Sequence, residues 1–215
     1  MTLLLGTDCE PVHRLAGALE ADLVVVPLVD VERAGLDWTW SEPLEAWRTA
    51  SSEGPKDRAV VVAPWTEDLG EAVALADLPI ETWVARHEAP FARWFAAMGV
   101  AAARCADRGA IVALVEQPAP LDCAGRAAET GLADAVETLA RSLARSEGPR
   151  GVRVNTVTTP ARITQVPVSQ PPPPLDSFPG TLTIEAAGAV RALLGIDALG
   201  ITASTVHADA GRTGR

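Results

Sequence analysis

The stretch over residues 129–160, ETGLADAVETLARSLARSEGPRGVRVNTVTTP, constrains the fold more than any other part of the chain. Ala135, Val136, Leu139, Leu143 and Ala144 recur at helical spacing, so one helix face is apolar and meant for burial. The run Glu147-Gly148-Pro149-Arg150-Gly151 then ends the helix, because its glycines accept positive φ and Pro149 cannot continue the hydrogen-bond ladder. Val152, Val154 and Val157 follow as a short β-branched strand. Helix, tight turn and strand make half of a βαβ crossover, and crossovers build parallel sheets with helices on their faces.

The rest of the chain repeats that alternation. Strands are expected at 2–5, 23–26, 59–63, 110–115 and 201–207, and helices at 11–20, 42–49, near 67–75, over 81–107 and at 183–194. Residues 27–40 read as irregular, with Pro27, Gly35, Trp38 and Trp40. The segment 160–180 contains PVSQPPPPLDSFP, whose prolines favour an extended, lid-like loop. A length of 215 residues suits one sizeable core, so 1–215 is read as a single domain.

Composition excludes several classes of function. A net charge of −10 opposes nucleic-acid binding, which needs a basic footprint. No apolar run reaches the length of a membrane span, and the N-terminal MTLLLGTDCEPVH lacks a signal-peptide pattern, so a cytoplasmic location is expected. Cys9, Cys105 and Cys123 have no metal-ligand spacing, and an odd count fits reduced thiols. His13, His87 and His207 are scattered without i, i+4 partners, so no metal site is expected. Cys123 lacks an identifiable base and reads as a plain thiol.

The wording LARSLARSEGPRGVRVNTV resembles the helix-to-strand passage of short-chain dehydrogenases/reductases, and GITASTVHADAGRTGR resembles that family's closing segment, with Asp209 and Gly211 in place and Ala203 and Ala210 where glycines are usual. The resemblance implies a Rossmann-like, doubly wound parallel sheet of about six to seven strands, with one strand–helix unit reduced in the N-terminal half. It also allows each functional position to be checked. The family's Tyr-x-x-x-Lys pair falls on Glu129 and Ala133, and the chain has no tyrosine at all. Its catalytic serine falls at Val115 and Glu116, with Ala113 for the preceding asparagine, while Thr164 matches a later threonine. In the phosphate-binding turn Gly6 remains, but Glu10 and Val12 replace the other glycines. The Asn-Asn-Ala-Gly element is replaced by VVVAPWTED, with Trp65 adding bulk, and Asp30 is a one-residue match to an adenine-contacting aspartate.

These losses imply no catalytic residues, no cofactor and no metal. What remains resembles the family's assembly surfaces, namely the helices 81–107 and 129–147 and the last helix and strand. The resemblance leads to the expectation of a pseudoenzyme subunit that completes a hetero-oligomer with an active paralogue, of the 3-hydroxyacyl-CoA or ketoreductase type found in heteromeric members. The alternatives are a homodimeric ligand-binding or regulatory protein using the remodelled cleft, and an enzyme of other chemistry using Glu116 and Glu129 as an acid/base pair. Some of Trp38, Trp40, Trp47, Trp65, Trp83 and Trp94 are expected to fill the cleft or an interface. For the helix at 129–145, Val136, Leu139 and Leu143 are expected against the sheet. Thr130, Ala133, Glu137, Ala140, Arg141 and Ala144 are expected against a partner, as is Ala97 in AAMGVAAARCA.

Overall fold

The computed structural model describes residues 1–28, 41–67, 69–164 and 175–213. Among them the chain alternates β1 (Thr2–Gly6), α1 (Glu10–Leu19), β2 (Ala21–Val25), α2 (Glu42–Ser52) and β3 (Asp57–Ala63). Next comes a helical stretch, α3, composed of Ile80–Trp83, a π-helical turn Val84–Glu88, and Ala89–Arg104. Then follow β4 (Cys105–Glu116), α4 (Ala127–Glu147) and β5 (Arg153–Thr159). A π-helical turn Leu182–Ala186 leads into α5 (Ala187–Leu194), and β6 (Thr205–His207) closes the order.

The six strands form one sheet in the order β2-β1-β3-β4-β5-β6, every neighbouring pair parallel. That is the doubly wound α/β architecture expected from the alternation. Helix α1 packs with α5, while α3 packs between α2 and α4 on the other side of the sheet. The central strands β3 and β4 read as continuous apolar runs, Val60 to Ala63 and Ala110 to Val115, because a parallel strand between two helical layers is buried on both faces. Pro11 sits at the start of α1, where its missing N–H costs nothing, and Glu20 closes that helix in the left-handed region at φ 51°.

Several expectations need correction. The helix expected near 67–75 does not form among the described residues, where only a 3₁₀ turn at Leu75–Asp77 appears. The carbonyls it would have used internally accept from distant arginines instead: Glu67 from Arg162, Leu69 and Gly70 from Arg126, and Glu71 from Arg86. Helix α3 ends at Arg104, and β4 begins at Cys105 rather than near Ala110. Strand β6 is only three residues long and starts at Thr205, not at Ile201. Asp30, Trp38, Trp40 and most of the proline run lie outside the described residues.

The buried face of α4 is rotated from the expectation: Val136 faces the sheet as expected, but the alanines expected against a partner join it there. Ala133, Val136, Ala140 and Ala144 belong to the buried core, while Leu139 and Leu143 are only partly buried. Small side chains let α4 lie close over β4 and β5, so the alanine stripe serves this chain's own sheet. Ala97 is likewise fully buried within the core.

Candidate functional site

In an open α/β sheet, ligands bind beyond the carboxyl ends of the strands, where the strand order reverses. Here that point lies between β1 and β3, since the chain moves outward from β1 to β2 and returns to β3. The β1 turn carries Gly6, Thr7, Asp8 and Cys9. A Cβ on Gly6 would stand 2.5 Å from Cγ1 of Val12, so glycine is needed there because the fully buried Val12 packs onto the turn. Glu10 does not point inward. Its exposed carboxylate pairs with Arg14 at 3.1 Å, in the first turn of α1, where an acid suits the helix dipole.

Trp65, just past β3, lies buried across the strand ends. Its indole N–H donates to the Leu114 carbonyl at 2.9 Å, and its own carbonyl accepts from Thr7. The Arg162 guanidinium stands 5.6 Å from the Trp65 ring centroid and donates to the Thr66 and Glu67 carbonyls at 2.7 and 2.8 Å. Its Nε lies 3.2 Å from Oε1 of Glu116, the last residue of β4. Three chain segments are thereby tied over the cleft: the turn after β1, the turn after β3 and the loop after β5.

Behind this closure lies a cavity of about 70 Å³, lined among others by Trp65, Arg86, Arg93, Trp94, Glu116 and Glu129. The two carboxylates of the acid/base reading do meet there, but each faces an arginine. Arg86 donates from Nε to Oε1 of Glu129 at 2.9 Å, and Nη1 of Arg126 stands 3.7 Å from the same oxygen. Burial pushes the Glu116 carboxyl up to about 7, with Arg162 pulling it down and Glu129 pushing it further up. Of the tryptophans, Trp65 and Trp94 fill this cleft, while Trp83 stacks on His87 with centroids 4.3 Å apart.

The raised Glu116 value has a measurable consequence. In the window from its ordinary value of 4.5 up to about 7, the folded chain holds a proton that the unfolded chain has released. Stability therefore falls as pH rises through that window and levels off above it, by roughly 3 kcal/mol in total. Urea unfolding at pH 5 and pH 7.5 should show this decline in the native chain and a flatter profile in Glu116→Gln. Equal slopes in both proteins would remove Glu116 as the cause.

The other sequence candidates are dispersed through the fold. Ala133, at the position of the family's lysine, is fully buried and is not part of the cavity lining. Ala113 is fully buried inside β4, Val115 lines the cavity, and Thr164 is buried after β5. His13 pairs with Asp8, His87 contacts the Ala128 carbonyl, and Nδ1 of His207 lies 2.8 Å from the Thr158 hydroxyl. The Cys123 thiol contacts the Pro120 carbonyl at 3.0 Å. Among the described residues no cluster of His, Cys, Asp and Glu could hold a metal, and no helix is long and apolar enough to cross a membrane. The sequence reading missed Arg86, Arg93, Arg126 and Arg162. One signal was available: Arg93 interrupts the apolar stripe Ala89, Pro90, Trp94, Ala97 of α3.

No family profile and no curated protein sequence matches the chain. Solved structures do. A short-chain dehydrogenase/reductase from Serratia marcescens aligns over 99% of this chain and 97% of its own, at 18% identity and TM-score 0.67. A short chain dehydrogenase from Mycobacterium paratuberculosis bound to NAD aligns over 99% and 98%, at 16% identity and TM-score 0.68. A blue fluorescent protein from a metagenomic library, in complex with NADPH, aligns over 98% and 97%, at 18% identity and TM-score 0.65. At these identities the likeness is one of fold, and the fold is that of the short-chain dehydrogenases/reductases.

Proposed function

From that fold and a cleft closed by the chain's own side chains, we propose that this protein is a non-catalytic subunit that supports a catalytically complete paralogue in a hetero-oligomer. The observation that carries the reading is the seal at the strand ends: Val12 packed on Gly6, Thr7 bonded to the Trp65 carbonyl across the switch point, and Arg162 set between Trp65 and Glu116. The residues at the family's serine, tyrosine and lysine positions point the same way, being Glu116, Glu129 and a core alanine, Ala133. Two of the fold relatives hold NAD or NADPH. For this chain a dinucleotide would have to displace a buried indole and an ion-paired arginine. Glu10 also places an acid in the first turn of α1, at the helix end that would otherwise favour a phosphate.

Assembly draws support from exposed apolar side chains. Phe95 on the outer side of α3 is 53% exposed, and Phe91, Ala135 and Leu139 line a shallow groove between α3 and α4. Around β6, a sheet edge, Ile196, Leu199 and Ile201 are also exposed. The test has two parts. Calorimetric titration with NAD and NADPH should give no saturable heat at millimolar dinucleotide, and a micromolar dissociation constant would overturn the non-catalytic reading. Co-expression with a complete paralogue, followed by light scattering, should yield a mixed oligomer. A chain that stays monomeric in its presence removes the partner role.

A second reading, a ligand-binding protein using the remodelled cleft, is favoured by one observation. Arg93, only 3% exposed, lines the cavity with Nε and Nη2 lacking any hydrogen-bond partner.

A further inference from the structure

Arg93 is the least satisfied charged group described in this protein. It comes from the buried side of α3, and burial pulls its guanidinium down to about 10, which still leaves it charged at neutral pH. A buried cation with two unpaired N–H groups is costly, and a carboxylate is the group whose geometry matches such a fork. The same cavity is lined by groups with the opposite need. Oε2 of Glu129 is buried without a hydrogen-bond partner, and Oε1 of Glu116 has only the charge of Arg162 beside it. Both lack a donor. The remaining walls, including Pro90, Trp94 and Leu132, are apolar.

The charges around the cavity are also unbalanced. Arg86, Arg93, Arg126 and Arg162 stand against two carboxylates, Glu116 and Glu129. Outside the seal, a surface pocket that shares Leu69 with the cavity is lined by Arg14, Arg126 and Arg162, in a chain whose net charge is −10. Arginines concentrated at one mouth of an acidic protein draw anions there. A cavity of about 70 Å³, at roughly 10–15 Å³ per water on the same measure, has room for about five non-hydrogen atoms.

We infer that the cavity under Trp65 binds a short α-hydroxycarboxylate of the size of glycolate or lactate. Arg93 holds the carboxylate, and the hydroxyl donates to the free carboxylate oxygens of Glu116 or Glu129. The inference rests on the second reading above, that the remodelled cleft takes a small ligand, and is independent of any partner chain.

The experiment is calorimetric titration of the full chain with lactate, acetate and propylene glycol, repeated on Arg93→Met. Lactate should bind saturably with a dissociation constant below about 1 mM. Acetate, which lacks the hydroxyl, should bind several-fold more weakly, and propylene glycol should not bind. Arg93→Met should melt at or above the native temperature, since it removes an unpaired buried charge, and should lose at least about tenfold in lactate affinity. Lactate binding unchanged in Arg93→Met would overturn the assignment. Propylene glycol binding as tightly as lactate would keep the cleft as a ligand site but overturn the carboxylate. Binding of none of the three would overturn both the inference and the reading beneath it.

Discussion

Ala97→Glu and Ala140→Glu should each abolish the folded chain rather than any assembly. Ala97 is fully buried and Ala140 is 2% exposed, both inside the continuous core between the sheet and the α3–α4 layer. A glutamate at either place must bury a carboxylate without a partner and displace packed neighbours at once. The expected loss exceeds about 4 kcal/mol, a large share of the roughly 5–15 kcal/mol that a domain possesses. Thr138→Glu and Ser142→Glu on the exposed side of α4 are the controls, expected within about 0.5 kcal/mol of native by urea unfolding. If Ala140→Glu unfolds at the native midpoint, the assignment of faces on α4 is wrong. If Thr138→Glu breaks an oligomer while leaving the monomer folded, the outer face is the interface.

The second large effect concerns Asp122 and Arg212. Their side chains are fully buried, with Arg212 Nε and Nη2 donating to the two carboxylate oxygens at 3.0 and 3.1 Å. The guanidinium also lies 5.4 Å from the centroid of Phe178. This pair ties the C-terminal turn, where Asp209 accepts from the Gly211 and Thr213 amides, to the loop after β4. Asp122→Ala removes the carboxylate facing a buried cation, at an expected cost of about 3–5 kcal/mol. Limited proteolysis should then nick the C-terminal segment first. Asp122→Leu combined with Arg212→Met should recover much of the loss, because replacing both charges removes the desolvation cost of each. Native stability and native protease resistance in Asp122→Ala would show that the pair contributes nothing net.

Much of this architecture is legible in the residues themselves. The LLLG, VVVA and AIVALV runs can satisfy two apolar faces only as central parallel strands, and the Gly148–Gly151 turn after an amphipathic helix makes a crossover of them. The switch point follows once the crossovers are placed, so Gly6, Trp65 and Glu116 could be assigned to one cleft before any coordinates. The seal across that cleft was less visible. Trp65 could be expected as bulk, but its hydrogen bond to Leu114 and the arginine over its ring depend on residues 49 and 97 positions away.

Local periodicity decided the existence of α4 but not its orientation. An arc of alanines and an adjacent arc of leucines are both apolar, and a 3.6-residue repeat ranks neither above the other. The sheet decided it, because a helix lying close over parallel strands has room for Ala133, Ala140 and Ala144 and sets Leu139 and Leu143 at its flank. The same holds for charge. In the linear chain Arg86, Arg126 and Arg162 read as surface residues, since arginine is usually solvated. Only the folded chain brings them to Glu129, Glu116 and the carbonyls of Glu67, Leu69, Gly70 and Glu71, which then do not close a helix. Sequence by itself therefore determined the layers and the place of the cleft, through hydrophobic pattern and turn chemistry, which are local. Tertiary structure decided which helix face is buried, which arginines leave water and what closes the cleft, because those energies arise between groups far apart in the chain.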